Sequence, residues 1–247
     1  MITIGIPVRN GFKYVSKLLY SIKKNTNDVP LNGLVVVDDG SVPKVVNAGL
    51  KLEKCRVIRN EQSKGFPAAC NEIIKAAGES KYICILNSDT FVAPRWLSHM
   101  YAVMEKDSKI GICGPSTSYA NDPQCKRDIC GIRHQMFEPS IAKYAEKLER
   151  EHAEPEDIGS VLTGFCMLIR KSALDEVGVF DEQFGLGSFE EADLCTRLML
   201  AKYKCMWVPY SYVHHYGKGT FSSEGIEWQK LWQENQERFE KKWKKDN

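Results

Sequence analysis

Short apolar segments alternate with amphipathic segments through the first 115 residues, and this alternation restricts the possible folds more than any other feature. The apolar segments have the length of buried strands and occupy residues 2–7, 34–37, 55–58, 82–86 and 110–113. Between them, apolar residues recur with helical spacing over residues 14–24, 67–77 and 96–105. This rhythm predicts a single α/β domain whose mostly parallel, Rossmann-like central sheet is flanked by helices.

The second half of the chain is less regular. Residues 116–158 are mostly polar and include a Lys- and Glu-rich helical stretch at 140–151, which predicts a solvated lid or insertion. The later predicted elements are an apolar run at 161–169, helices from 171 and at 190–203, a strand at 206–209 and a C-terminal helix.

The composition is that of one large domain. With 247 residues, of which 43% are hydrophobic, the chain can bury a substantial core. The formal net charge of +2 gives no reason to expect nucleic acid or a membrane as a partner. The amino terminus becomes polar too early for a signal peptide, and no apolar run approaches the ~20 residues of a membrane span. We therefore expect a cytoplasmic protein.

The nine cysteines support the same expectation. They are odd in number, and several lie inside apolar runs, which is typical of reduced core residues. Cys125 and Cys130 lie in a polar stretch, but four intervening residues without a second Cys or His pair are a poor zinc pattern.

Acidic residues follow two of the predicted strands. Asp38 and Asp39 close one strand, and Asp89 comes after Asn87 and Ser88 at the end of another. Each group is compatible with a simple turn. However, the carboxyl ends of parallel strands meet at one edge of a sheet, where open α/β folds bind their ligands. The glycine-bearing stretch at 62–66 between them matches neither a dinucleotide fingerprint nor a P-loop, so a different nucleotide site is expected.

Three further acids begin the predicted helix at 190, namely Glu190, Glu191 and Asp193. Acids favour the positive end of a helix, so capping accounts for any one of them. Three acids in four residues exceed that need, and one of them is a candidate general base. Neighbouring residues of a helix diverge by about 100°, so Glu190 and Glu191 are expected to face different directions.

Two adjacent histidines, His214 and His215, follow the predicted strand at 206–209 and precede a Gly-rich turn. A histidine pair on a loop is often a surface feature. Neutral imidazole is also the commonest nitrogen ligand of divalent metals, so both interpretations stay open.

Seven short motifs occur in an order that resembles family 2 glycosyltransferases with the GT-A fold. The matching segments are 6–10, 37–41, 65–71, 86–89, 163–181, 189–197 and 215–221. Each motif is weak alone, but the ordered set covers residues 2 to about 221. The resemblance implies an inverting glycosyltransferase that moves a sugar from a nucleoside-diphosphate sugar to a hydroxyl acceptor in one displacement.

The resemblance also implies roles for individual residues. Those expected to bind the nucleotide-sugar, with a UDP-sugar as the leading candidate, are Pro7, Arg9, Asn10, Asp38, Asp39, Gly65, Asn71, Asn87 and Ser88. Asp89 takes the last position of the family's D-x-D motif and, with His215, would bind Mn²⁺ or Mg²⁺. Glu191 would be the base, with Glu190 and Asp193 as the neighbouring candidates. The acceptor would be a glycan, a lipid-linked glycan or a protein hydroxyl.

Two positions depart from the family pattern. Asn87 replaces the first acid of D-x-D and offers an oxygen without charge, and Glu191 replaces the expected Asp with a longer side chain. The second departure keeps open an alternative function, a catalytically silent module that binds nucleotide-sugars.

The resemblance divides the chain into a glycosyltransferase domain at 1–221 and a C-terminal helix at 222–247. Within the domain we expect a nucleotide-sugar-binding half at 1–115, the insertion at 116–158 and an acceptor and catalytic half at 159–221. The C-terminal segment interleaves aromatic residues with lysines. Such a helix either packs on its own domain or lies on the inner face of an anionic membrane.

Overall fold

The computed structural model of the protein describes residues 1–44, 54–121, 123–125, 137–151, 153–217 and 227–244. The strands are β1 (Ile2–Val8), β2 (Leu31–Asp39), β3 (Cys55–Asn60), β4 (Tyr82–Leu86), β5 (Thr90–Val92), β6 (Ile110–Ser116), β7 (Glu156–Asp157), β8 (Cys166–Arg170) and β9 (Lys204–His215). The α-helices are α1 (Phe12–Asn25), α2 (Phe66–Ala76), α3 (Trp96–Lys106), α4 (Glu138–Glu151), α5 (Lys171–Val177), α6 (Glu190–Leu200) and α7 (Trp228–Trp243). A short 3₁₀ helix, Glu182–Phe184, precedes α6.

One central sheet carries the strands in the order β3-β2-β1-β4-β8-β6-β9-β5, and β7 also pairs with β9. The first four strands in that order are parallel, as the helical crossovers between them require. Strand β8 is antiparallel to both β4 and β6, whereas β6 and β9 are parallel. The α/β prediction is confirmed, but the sheet is mixed rather than mostly parallel, because β8 pairs antiparallel with β4 and β6, and β5 and β7 pair antiparallel with β9.

Apolar residues cover both faces of the sheet. On one face, alternate residues of β1 (Ile2, Ile4 and Ile6) join the side chains of α1 and α3 in a buried cluster. On the other face, Val35 and Val37 of β2 join residues of α2, α5 and α6. A helix-covered sheet of this kind leaves its strand ends as the place for a site.

Strand β9 is much longer than the predicted strand at 206–209, because it continues to His215. The register against β6 shifts between Pro115 and Ser116, and this irregularity lets the second half of β9 leave β6 and pair with β5. The prediction that both histidines lie on a loop is therefore wrong.

Helix α4 lies in the segment predicted to be a solvated lid. Its apolar residues Ile141, Tyr144, Ala145 and Leu148 recur at helical spacing and pack against residues of β5 and β9. The solvated interpretation is therefore wrong for this face of α4. Most described cysteines are buried free thiols, and Cys130 lies outside the described residues.

Candidate active site

An open cavity lies at the carboxyl ends of β1, β2 and β4. The residues predicted for nucleotide-sugar binding that line it are Pro7, Arg9, Asp39, Gly65, Asn87 and Ser88. The parallel pairing of β1 with β2 and with β4 brings these strand ends to one edge of the sheet. The cavity therefore combines two acid-bearing strand ends that are about fifty residues apart in the sequence.

Three other residues predicted for nucleotide-sugar binding, Asn10, Asp38 and Asn71, do not line this cavity. Asp38 is fully buried, and its Oδ2 lies 2.8 Å from Nη1 of Arg59. The side chain of Asn71 donates to the carbonyl of Phe180 at 2.9 Å and accepts from its N–H at 3.0 Å. Asn10 bonds to the loop that follows β2. In this structure all three brace loops beside the cavity.

Asp39 holds the loop between β3 and α2. Its carboxylate accepts hydrogen bonds from the side chains of Asn60 and Ser63 and from the backbone N–H groups of Lys64 and Gly65, at 2.6–3.1 Å. Burial alone would raise the pKa of Asp39, but these donors outweigh it and lower the pKa below its usual value. An ionised Asp39 thus keeps the Gly65 backbone at the cavity.

Pairing between β5 and β9 places Asp89 next to His215. Thr90 lies opposite His215 in the antiparallel register, and the N–H of Tyr216 donates to the backbone carbonyl of Asp89 at 3.0 Å. Oδ1 of Asp89 and Nε2 of His215 are 3.2 Å apart, and both residues line the cavity. The short strand β5, which the sequence patterns did not predict, is therefore what joins these two residues.

The two histidines point to opposite faces of β9, as successive strand residues do. His215 lines the cavity, whereas His214 is fully buried with its Nδ1 3.0 Å from both the Ser118 hydroxyl and the Tyr212 hydroxyl. Of the two candidate ligands, only His215 is placed to contact a bound group in this cavity.

The atoms around His215 fit a divalent cation. Nδ1 lies 3.0 Å from the carbonyl oxygen of Tyr119, and a carbonyl only accepts, so Nδ1 carries the proton. The Nε2 lone pair then faces a carboxylate oxygen of Asp89, an arrangement that suits two ligands of one cation or, with Nε2 protonated, an ion pair. Among the described residues, the buried Oδ1 of Asn87 has no hydrogen-bond partner.

The described residues contain no group of three or more His, Cys, Asp or Glu side chains arranged around a common metal position. Asp89 and His215 are two side chains of these kinds, and the amide oxygen of Asn87 is an uncharged third donor beside them. Carboxylate and amide oxygens suit both Mn²⁺ and Mg²⁺, so Asp89 and Asn87 fit either ion, and the imidazole of His215 fits a transition-metal ion such as Mn²⁺ better than Mg²⁺.

Glu190 and Glu191, the first residues of α6, both line the cavity. Glu190 is 5% exposed, and Glu191 is half-buried against Gly164. The expectation that they face different directions is wrong. The preceding residue Phe189 has a left-handed φ of 73°, so the chain turns sharply where the helix begins.

The two carboxyl groups differ in how strongly their pKa values are raised. Burial, together with the charge of Glu191, raises the pKa of Glu190 well above its usual value. Burial also raises the pKa of Glu191, but backbone N–H groups, including that of Gly164, oppose this rise. Glu190 therefore favours the neutral form, and Glu191 is the easier of the two to ionise.

Asp193, the third acid, does not line the cavity. It is fully buried, and its carboxylate oxygens lie 2.9 Å from the Arg197 guanidinium, 2.7 Å from Nζ of Lys242 and 3.0 Å from Nε1 of Trp243. Its contacts join α6 to α7.

The family model described as glycosyl transferase family 2 matches residues 3–178, which is more than half of the chain. The chain belongs to glycosyl transferase family 2. A pre-mycofactocin glycosyltransferase of Mycobacterium tuberculosis is 28% identical over 220 residues, which make up 87% of this chain and 42% of that protein. This chain thus spans less than half of the relative's length. Family membership confirms the resemblance that the ordered motifs indicated.

Two solved structures share the fold of this family 2 chain. The crystal structure of GalNAc-T7 with UDP, GalNAc and Mn²⁺ aligns with a TM-score of 0.68 at 17% identity, over 87% of this chain and 43% of that chain. The mannosyltransferase PcManGT from Pyrobaculum calidifontis, in complex with GDP-Man and Mn²⁺, aligns with a TM-score of 0.63 at 16% identity, over 90% and 59% of the two chains. These likenesses confirm the predicted GT-A fold.

Several contributors to this family 2 cavity were not among the predicted site residues, and two of them are Trp228 and Tyr119. Trp228, the first residue of α7, lines the cavity, and the carbonyl of Tyr119 orients His215. The aromatic residues of the C-terminal segment were visible in the sequence, but the pattern did not show that one of them reaches the cavity. Among the described residues, no helix has the length and hydropathy to span a membrane.

Proposed function

We propose that this chain is an inverting glycosyltransferase that moves a sugar from a nucleoside-diphosphate sugar to a hydroxyl acceptor. The observation that carries the proposal is that one cavity holds the Asp89–His215 pair, the ionisable Glu191 and the Gly65 backbone. A donor needs a site for its diphosphate, and the acceptor needs a base. The cavity offers a candidate for each.

The donor would bind at the strand ends. Asp39 holds the loop at Gly65, so that this loop lines the cavity where a nucleotide would bind. Asp89, His215 and Asn87 would hold Mn²⁺ or Mg²⁺ beside the diphosphate. When bound, the ion would supply positive charge that stabilises the diphosphate as it leaves. Relatives of the fold bind UDP or GDP-Man with Mn²⁺, which supports this class of donor.

Glu191 would act as the base on the acceptor. Among the described residues, neither Glu190 Oε2 nor Glu191 Oε2 has a hydrogen-bond partner. Glu191 is the easier of the two to ionise, so it is the carboxylate that would accept the proton of an acceptor hydroxyl. The hydroxyl oxygen forms the new bond to the anomeric carbon while the bond to the diphosphate oxygen breaks, and attack from the opposite face inverts that carbon. Glu190, kept neutral by burial, does not compete for the proton.

We propose that the segments of the chain have the separate roles that the motifs suggest. Residues 1–115 would bind the nucleotide-sugar, 116–158 would shape the acceptor side, and 159–221 would supply Glu191 and His215. The acceptor would be a glycan, a lipid-linked glycan or a protein hydroxyl. The C-terminal segment at 222–247, which contains α7, would complete the unit. Contact of this segment with the inner face of the membrane is a further proposal, which vesicle flotation tests.

A donor screen tests the proposed function. The purified chain is incubated with UDP-, GDP- and dTDP-sugars, Mn²⁺ and simple glycoside acceptors, and the anomeric configuration of each product is read by NMR. We expect turnover with one nucleotide class and an inverted product. Binding of a donor without hydrolysis or transfer would instead support the silent binding module, and a retained configuration would contradict the single displacement.

A further inference from the structure

A single buried amide connects the C-terminal helix to the segment before α6. Asn235 is fully buried in α7. Its Nδ2 lies 2.9 Å from the carbonyl oxygen of Phe184, 2.8 Å from that of Gly187 and 3.1 Å from that of Ser188. The side-chain oxygen of Asn235 accepts from Arg238, which fixes the orientation of the amide. One side chain therefore gathers three carbonyls of one loop.

That loop has an unusual backbone. Residues 185, 187, 188 and 189 all have positive φ, with values of 57°, 120°, 84° and 73°. Two of them, Ser188 and Phe189, are not glycine and are strained in this region. A strained conformation persists only when surrounding contacts determine it, and the amide of Asn235 supplies such contacts. The loop leads directly into Glu190 and Glu191.

Helix α7 holds both sides of this loop. The ring of Phe189 packs against Trp232 and Phe239, with centroid distances of 5.4 and 5.6 Å. Beyond Glu191, the buried Asp193 accepts from Trp243 and pairs with Lys242. Glu190 and Glu191 therefore lie between two residues that contact α7, namely Phe189 and Asp193. Trp232, Phe239 and Trp243 of α7 thus all contact residues of the glycosyltransferase domain.

We infer that Asn235 is a positioning residue, which holds the loop at 184–189 so that Glu191 faces the acceptor. This inference rests on the proposed function for the role of Glu191. The loss of Asn235 should leave the strand ends around Asp89 and Asp39 intact. It should therefore lower the rate of transfer without weakening the binding of the donor.

The test uses the full chain and two matched variants. Asn235→Asp keeps the size of the side chain but turns an oxygen towards the three carbonyls, whereas Gln233→Glu makes the same amide-to-acid change on the exposed side of α7. Asn235→Ala is the second variant, in case the carboxylate prevents folding. Three quantities are measured: hydrogen exchange of residues 184–192 in the ligand-free protein, the affinity for UDP or GDP with Mn²⁺, and steady-state transfer with the donor found by screening.

For both Asn235 variants we expect backbone exchange in 184–192 to rise about 10-fold or more. We expect kcat to fall about 10- to 100-fold while the donor KM stays within about 3-fold. Gln233→Glu should match the wild type. Unchanged exchange in a folded Asn235 variant would overturn the inference whether or not transfer is found. Faster exchange with unchanged kcat would overturn the positioning role, and a wild-type protein without transfer from any donor would refute the proposed function itself.

Discussion

At the residue scale, the chemistry of the cavity depends on how two adjacent carboxyl groups share one buried environment. Glu190 is the deeper of the two, and Glu191 receives backbone N–H groups that favour its charged form. Their pKa values are therefore pushed apart, which is the usual way in which neighbouring acids acquire different roles. A neutral Glu190 beside an ionised Glu191 avoids two buried negative charges.

The raised pKa of Glu190 predicts how stability depends on pH. The pKa of a Glu side chain in an unfolded chain is about 4.3. Between that pH and the higher pKa of Glu190 in the folded state, the folded state binds more protons than the unfolded state. The stabilising contribution of neutral Glu190 is fully present below the unfolded pKa, and it is lost as pH rises through the folded pKa. Glutamine does not titrate, so the Glu190→Gln variant does not suffer this loss. The difference between the free energy of unfolding of the variant and that of the wild type should therefore shift in favour of the variant as pH rises. Urea unfolding of the metal-free proteins across this range measures the effect, and parallel pH curves would contradict it.

Asp89 supplies the one full negative charge of the proposed metal site. Asp89→Asn keeps the size of the side chain but removes the charge, so Mn²⁺-dependent affinity for the nucleotide should fall about 10-fold or more by calorimetry. His215→Ala should weaken the same affinity, whereas the buried His214→Ala should lower the melting temperature and leave the Mn²⁺ dependence in place. Unchanged affinity in Asp89→Asn, or equal loss in both histidine variants, would remove these ligands from the proposal.

At the element scale, two loops meet backbone to backbone at the cavity. Gly65 has a φ of 94°, and a Cβ there would collide with the carbonyl oxygen of Gly185. The loop that Asp39 holds is thus in direct contact with the loop that precedes Glu191. The donor and acceptor sides of the cavity therefore meet at this contact.

Gly65→Ala should therefore destabilise the protein strongly. The collision destabilises the folded state, and so does the backbone conformation at residue 65, which only glycine adopts readily. The free energy of unfolding should therefore fall by about 3 kcal/mol or more. Gly78→Ala is the matched control, because Gly78 also has a positive φ, of 55°, but no described atom outside its chain neighbours lies within 4 Å of the position of an added Cβ. It should cost only about 1–2 kcal/mol. Equal losses in denaturant unfolding would show that the contact with Gly185 is unimportant.

Local patterns predicted most elements of this fold, because the hydrophobic pattern of a buried strand or an amphipathic helix can be recognised within a short segment of sequence. The antiparallel pair of β5 and β9 was missed because β5 has only three residues and its partner lies more than a hundred residues away. For the same reason the motifs named Asp89 and His215 but could not show that they are neighbours. Asn235 carries no local signal, because its role depends entirely on the carbonyls of a distant loop.

At the scale of the whole molecule, the cavity joins parts of the chain that only the fold brings together. Asp89 follows β4, His215 ends β9, Glu191 begins α6, and Trp228 begins α7. A ligand that contacts all of them binds the folded state and has no equivalent site in the unfolded chain. Binding should therefore appear as stability of the entire domain.

Donor and metal together should raise the melting temperature. At a donor concentration of 100 times Kd the gain is about 2.7 kcal/mol, or about 5–10 °C for a domain of this size. Removal of the metal with EDTA should abolish most of the shift, and Asp89→Asn should show little shift even with Mn²⁺. A full shift in the presence of EDTA would contradict the assignment of Asp89 and His215 to a metal that supports the donor.

The most direct test of the central claim is single-turnover transfer by Glu191→Gln, measured beside its donor affinity. Glutamine keeps the size and hydrogen bonding of the side chain but cannot accept the acceptor's proton. We predict a rate about 10²- to 10⁴-fold lower with nearly unchanged donor affinity, because the base acts only in the chemical step. Glu190→Gln and Asp193→Asn serve as the neighbouring comparisons. A near wild-type rate in Glu191→Gln would contradict the account and assign the proton to another group.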